Sequence, residues 1–117
     1  MSAQKLAKAI IKYAQEKKGK QIVLLDISGL SSFSDYFVVI SGDSNIQIKA
    51  IADHIVNELH KEDIFPKNKE GLDYLNWVLL DYVDVVVHIF NNETREFYGL
   101  ERLWADSKME FISDETE

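Results

Sequence analysis

Two aspartates three residues apart, Asp81 and Asp84, are the most suggestive candidates for chemistry in the sequence. Paired carboxylates can hold Mg²⁺ between a protein and a phosphate group. The segment SGDS at residues 41–44 precedes a predicted helix, whose N-terminus could bind that phosphate. Together these features outline a nucleotidyltransferase site. However, the segment has one glycine and no adjacent lysine, and Asp43 would repel the phosphate. Turn and cap formation explain the same residues, so we predict no catalytic residue.

The three histidines do not predict a metal site. His54 and His60 lie six residues apart on a predicted helix and therefore on different faces, and His88 lies in a predicted strand. Zinc requires three or four converging ligands. Cysteine is absent, which removes disulfides and thiolate chemistry. We therefore predict no metal and no cofactor.

The hydrophobic pattern predicts the elements that position these side chains. A helix is predicted over residues 2–18, ended by Gly19, and a second opens at Ser44. A third is predicted to run from an Asn92 cap to Trp104. Strands are predicted over residues 21–27 and 35–41 and in the segments LNWVLLDY and VDVVVHIF. This order predicts a mixed sheet of about five strands with helices packed on it, in the α/β class or the α+β class.

The strand that begins at Trp77 is apolar on both faces. Alternation places Trp77, Leu79 and Asp81 on one face. The other face carries Val78, Leu80 and Tyr82. Either the fold covers both faces or one is left for a partner, because Trp and Tyr are common anchors of protein interfaces. A second candidate surface is the predicted helical face of Leu100, Leu103 and Trp104.

The charge of the chain is acidic and unevenly distributed. The 117 residues have a formal net charge of −7, composed of +5 in residues 1–20 and −12 in residues 21–117. An acidic body repels phosphate backbones, so we predict no DNA partner. A basic protein is the better partner, and a solvated surface without any partner is the alternative.

Length and hydropathy predict one cytoplasmic domain. No apolar run approaches the roughly 18 residues that span a bilayer, which predicts no membrane association, and no secretory signal pattern is present. Residues 1–105 are predicted to form the domain. Residues 106–117 are acidic and aperiodic, and we predict that they form a flexible tail.

Three motifs together resemble one known family. Residues 26–44 read DISGLSSFSDYFVVISGDS, residues 77–90 read WVLLDYVDVVVHIF, and residues 97–104 read FYGLERLW. With these motifs, residues 5–105 resemble the ribosomal silencing factor family, also called Iojap-like proteins. The combination of the second and third motifs is highly specific.

The resemblance implies a nucleotidyltransferase-like fold without demonstrated transferase activity, often in a homodimer. It also implies a translational repressor that binds ribosomal protein number fourteen of the large subunit and blocks joining of the small subunit. The residues expected to contact this partner are Trp77, Leu79, Asp81, Tyr82, Asp84, Tyr98, Leu100 and Trp104. The alternative is a nucleotidyltransferase that uses Asp81 and Asp84 with Mg²⁺.

The chain departs from the usual pattern of that family at two positions. Ile46 replaces the arginine that commonly precedes Gln47, and Val83 replaces the glycine that commonly separates the two aspartates. A β-branched residue disfavours positive φ, so we predict a turn that does not require positive φ at Val83.

Overall fold

The computed structural model describes residues 1–113, and within them six strands form one sheet with helices packed on it. The helices are α1 (Ala3–Glu16), α2 (Asn45–His60), α3 (Asn92–Tyr98) and α4 (Leu100–Leu103). The strands are β1 (Lys20–Asp26), β2 (Tyr36–Ser41), β3 (Asn68–Glu70), β4 (Trp77–Asp81), β5 (Val85–Phe90) and β6 (Lys108–Phe111). The predicted mixed sheet is confirmed, and the class is α+β.

The sheet order is β3-β4-β5-β2-β1-β6. Strands β2 and β5 are parallel, and the other paired strands in residues 1–113 are antiparallel. All six residues of β5 are buried, because this strand is central and both of its faces are covered. Strands β4 and β5 form the predicted hairpin, so Trp77 pairs with Phe90 and Leu79 with His88.

Helices α1 and α2 cover one face of the sheet, because each presents a continuous apolar stripe to it. The buried stripe residues are Leu6, Ile10, Ile11 and Ala14 of α1, and Ile48, Ile51, Ile55 and Leu59 of α2. They form the larger core with the inward residues of β2, β4 and β5. As predicted, Ser44 caps α2, its Oγ accepting a hydrogen bond from the Gln47 N–H at 3.1 Å.

The opposite face of the sheet carries a smaller apolar cluster with thinner cover. Val23, Leu25, Val39 and Phe90 are buried there, together with Leu100 of α4. Four half-buried residues surround this cluster: Phe37, Trp77, Trp104 and Met109. Because α3 and α4 are too short to span the sheet, part of this face stays open.

The predicted continuous helix up to Trp104 is wrong. Its N-cap is Asn91 rather than Asn92, since the Asn91 side chain accepts from the Thr94 N–H at 2.8 Å. Gly99 has a φ of 56°, a left-handed conformation that ends α3 and starts α4 in a new direction. As a result Leu100 is buried, whereas Leu103, predicted to share its face, is exposed.

The prediction of an aperiodic tail after residue 105 is wrong for Lys108–Phe111. These residues form β6, which pairs with β1 along Val23–Asp26 and closes one edge of the sheet. Most residues of β6 are exposed, and its sequence does not show the hydrophobic pattern that predicts a strand. Together with the short edge strand β3, it raises the strand number to six. Residues 114–117 of the predicted tail lie outside the described part of the chain.

Candidate functional site

Five rings form a continuous row across the thinly covered face of the sheet. Successive ring centroids are 4.7 Å apart between Tyr98 and Trp77, 5.9 Å between Trp77 and His88, 4.6 Å between His88 and Phe37, and 5.5 Å between Phe37 and Trp104. Strands β4, β5 and β2 are neighbours and contribute one ring each, while α3 and the end of α4 contribute the outer two. We call these five residues the aromatic row.

Strand β4 places its two faces in different environments. Val78 and Leu80 are completely buried against the helices. Trp77, Leu79 and Asp81 alternate with them and are half-buried on the side of the aromatic row. The predicted alternation is confirmed, and the face that stays partly open is the one that begins with Trp77.

The aromatic row extends onto the surface through α3. Tyr98 is 48% exposed, and Phe97 beside it is more exposed still, with the two rings edge to face at 5.0 Å. Sequence reasoning did not include Phe97 or Phe37 among the residues expected to contact a partner. The run from Tyr36 to Ile40 is continuously apolar, and Val38, Val39 and Ile40 are all fully buried, so no alternation in the sequence singles out Phe37.

His88 fixes the position of Trp77. The Trp77 Nε1–H donates to His88 Nδ1 at 3.1 Å, and His88 is only 4% exposed. Burial lowers the pKa of His88 to about 3, so the ring is neutral and its single proton lies on Nε2. That Nε2 atom has no hydrogen-bond partner among the described residues. The tautomer is therefore set by Trp77, and the indole is held in one orientation.

Two of the residues predicted to contact a partner lie in the core. Tyr82 is buried on the helix side of the sheet, where desolvation raises the pKa of its hydroxyl to about 12. Leu100 is buried in the smaller cluster under α4. Both side chains pack inside the domain, so we assign them to its core and leave them out of the surface described below.

The turn between β4 and β5 is tightly closed around Val83. The Asp84 N–H donates to the Tyr82 carbonyl at 2.9 Å, and the Asp81 carboxylate accepts from the Val83 N–H at 2.8 Å. Val83 has a φ of 72°, so the prediction that this turn avoids positive φ is wrong. Three-residue turns with a positive φ at the centre are rare and strained, and a β-branched residue adds to the strain.

The geometry of the two aspartates is that of a turn. One carboxylate oxygen of Asp81 is engaged by the backbone of its own turn. Within residues 1–113, no three His, Asp or Glu side chains come together in the way that a metal ion would need. Asp81 and Asp84 therefore do not provide the set of metal ligands that the nucleotidyltransferase alternative requires.

The segment SGDS before α2, the candidate phosphate-binding loop, makes its hydrogen bonds within the protein. The Gln47 side chain accepts from the Asp43 N–H and donates to the Lys18 carbonyl at 2.9 Å. A side chain at Gly42 would lie 2.7 Å from Ile48 Cγ1, so this glycine is explained by close packing of the loop on α2. The segment therefore ties α1 to α2 and caps a helix.

Comparison with known proteins identifies the family. The family model described as "Ribosomal silencing factor during starvation" matches residues 1–117. The chain belongs to this family. It is 40% identical over 106 residues to "Ribosomal silencing factor RsfS" of Bacillus subtilis, covering 87% of this chain and 90% of that protein. It is 37% identical over 107 residues to the protein of the same name from Halalkalibacterium halodurans, covering 92% of each.

A solved structure supports the same relationship at the level of the fold. The crystal structure of protein CV0518 from Chromobacterium violaceum superimposes with a TM-score of 0.87 at 36% identity, covering 97% of this chain and 96% of that one. The α+β sheet described above is therefore the fold of the ribosomal silencing factor family. In residues 1–113, no helix is both long enough and apolar enough to cross a membrane.

Replacing Val83 by glycine tests the strain in the β4–β5 turn. Glycine removes a left-handed penalty of about 1–2 kcal/mol and loses about 0.5–1 kcal/mol of chain entropy, so Val83→Gly should raise the free energy of unfolding by up to about 1.5 kcal/mol. Chemical denaturation measures this change. The control is Val83→Ala, which keeps the Cβ and should gain less. A Val83→Gly protein clearly less stable than the parent would show that the turn is unstrained.

The buried neutral state of His88 predicts a pH dependence of stability. The folded-state pKa of about 3 lies below the ordinary value of 6.5, so the unfolded chain takes up a proton first as the pH falls. The contribution of neutral His88 to the free energy of unfolding is fully present above pH 6.5. It should fall by about 1.4 kcal/mol for each pH unit below that value.

Denaturation of the parent and of His88→Leu between pH 7 and pH 5 measures this effect. The carboxylates titrate in both proteins, so the difference between them isolates His88. Parallel stability curves across this range would contradict a neutral buried ring.

Proposed function

We propose that this protein represses translation by binding the large ribosomal subunit and blocking the joining of the small subunit. The proposed contact is ribosomal protein number fourteen of the large subunit, and the proposed location is the cytoplasm. Membership of the ribosomal silencing factor family supports the role. The observation that carries the binding site is the partly open aromatic row beside the acidic β4–β5 turn.

The composition of the aromatic row suits a protein interface. Trp and Tyr supply a large contact area at a small cost in side-chain entropy, and they dominate interface hot spots. Trp77 is held by His88 at 3.1 Å and packs on Phe90 with ring centroids 4.9 Å apart. Its orientation is therefore settled before a partner arrives, which reduces the entropy lost on binding.

The charge beside the aromatic row favours a basic partner. Residues 70–94 contain no lysine or arginine, and this segment includes Asp81 and Asp84 of the turn. Carboxylates at the rim of an interface raise the association rate with a basic protein and select its orientation. The same charge disfavours direct docking on RNA, so contact through a ribosomal protein is the better proposal.

A second copy of the chain is the competing occupant of the aromatic row. Homodimerisation through this face would hide the residues that we assign to the ribosome. Sedimentation velocity of the protein alone, followed by titration with large subunits, distinguishes the two occupants. A dimer that persists on the subunit would place the ribosomal contact elsewhere.

Co-sedimentation with purified subunits tests the proposed function. The protein should pellet with large subunits and not with small subunits at moderate salt. It should also suppress the light-scattering increase that accompanies subunit joining. A protein that fails to pellet with large subunits, or that pellets without affecting joining, would overturn the proposal.

Truncation of the central ring tests the proposed face. Trp77→Ala should weaken binding to the large subunit by about 2 kcal/mol, roughly 30-fold, as expected for a hot-spot residue. Tyr98→Ala, which removes a more exposed ring, should weaken binding with less effect on folding. The matched control is Phe65→Ala, because Phe65 is an exposed ring outside the aromatic row that packs on His60 at the C-terminal end of α2.

Thermal denaturation of each variant separates lost binding from lost folding. Unchanged affinity for Trp77→Ala and Tyr98→Ala would place the interface away from the aromatic row. An equal loss in Phe65→Ala would show that the effect is not local.

A further inference from the structure

The loop between β1 and β2, residues 27–35, presents an unusually exposed aromatic side chain. Phe33 is 86% exposed, and Leu30 in the same loop is also exposed. Single exposed apolar residues are common on protein surfaces and need no explanation. Phe33 differs because its loop is fixed in place and lies next to the turn of the proposed interface.

Internal hydrogen bonds fix the conformation of this loop. The N–H groups of Leu30 and Ser31 donate to the Ile27 carbonyl at 2.9 and 2.8 Å. The Phe33 N–H donates to Ser31 Oγ at 3.0 Å, and the Ile27 N–H donates to the Asp35 carbonyl at 2.9 Å. The backbone on both sides of Phe33 is therefore pinned, and its ring projects from an ordered base.

The loop is fastened to the β4–β5 turn. Ser34 is 8% exposed, and its hydroxyl donates to the Val83 carbonyl at 2.7 Å. The N–H groups of Asp35 and Tyr36 both donate to the Asp84 carbonyl, at 2.8 and 3.1 Å. The residue next to Phe33 thus touches Val83, which is itself 51% exposed. The hydrogen bonds therefore join the segment that carries the exposed Phe33 to the turn that carries the exposed Val83.

The charged side chains of the loop and the turn themselves are all negative. Two lysines border them: the Lys67 N–H donates to the Asp81 carbonyl at 2.7 Å, and Lys108 lines the same cleft as Leu30. Residues 27–48 and 70–94 contain no lysine or arginine. The loop and the turn contribute three carboxylates, from Asp35, Asp81 and Asp84. An apolar centre with an acidic rim complements an apolar depression surrounded by lysine or arginine.

We propose that this surface, formed by Leu30, Phe33 and Val83 with Asp35 and Asp84 at its rim, is a second half of the docking site for a basic protein. Phe33 is its anchor. The surface is continuous with the aromatic row through Asp81, which lies on the same strand face as Trp77 and bonds to the turn. The inference rests on the proposed function and adds a contact region that the rings of the sheet do not include.

The chemistry of this surface disfavours other occupants. RNA and anionic membranes carry negative charge and would be repelled by the carboxylates. A second copy would bring the same carboxylates against one another if the two surfaces met face to face. A protein with basic groups around an apolar depression satisfies both the charge and the exposed ring.

Replacing Phe33 by alanine tests the inference. Phe33→Ala should weaken binding to purified large subunits by at least tenfold in a co-sedimentation titration, because an interface anchor is lost. The melting temperature should stay unchanged, since the ring is exposed. Phe33→Leu, which keeps an apolar side chain on the same loop, should retain most of the affinity. The control Phe65→Ala should bind like the parent.

The outcomes separate this inference from the proposed function. If the parent protein fails to bind large subunits, the proposed function fails. If the parent binds and Phe33→Ala binds equally well, the function stands and the inference is overturned. If Phe33→Ala changes the oligomeric state in sedimentation velocity while ribosome binding is unaffected, the surface belongs to a second copy, which also overturns the inference.

Discussion

The structure depends on covering a central strand that is apolar on both sides. Strand β5 pairs in parallel with β2 and antiparallel with β4, and all of its residues are buried. The long helices α1 and α2 supply a complete layer on one face. On the other face, α3 and α4 reach only part of the cluster. Because this second layer is incomplete, aromatic side chains on that face stay partly exposed. The core between the sheet and the long helices remains buried.

The hydrogen bond between Trp77 and His88 connects that core to the exposed face. A buried neutral imidazole accepts the indole N–H, so the strand below determines how the ring above is oriented. The same histidine contacts Phe37 on the neighbouring strand. Orientation of the row therefore comes from the sheet, and a partner would meet rings that are already arranged.

The acidic turn shows the same reliance on neighbouring elements. Val83 adopts a left-handed conformation that its side chain disfavours, and the loop before β2 holds it there through Ser34. The hydrogen bonds to the Val83 and Asp84 carbonyls come from residues about fifty positions earlier in the chain. Backbone strain persists where surrounding contacts over-determine the conformation.

Local sequence was sufficient to predict the two long helices, the β4–β5 hairpin and the Ser44 cap, because periodicity and capping act within a few residues. It also predicted the two faces of β4, although not which would stay open. Strand β6 and the left-handed Val83 were not predicted, since pairing with β1 and hydrogen bonds from a distant loop decide them. Tyr82 and Trp77 are similar aromatic residues in one motif, yet the first is core and the second is partly open. The sequence by itself determined the family, the two long helices, the β4–β5 hairpin and the alternation of faces in β4. The tertiary structure decided which apolar side chains remain at the surface, because exposure depends on which elements, distant in sequence, pack over each face.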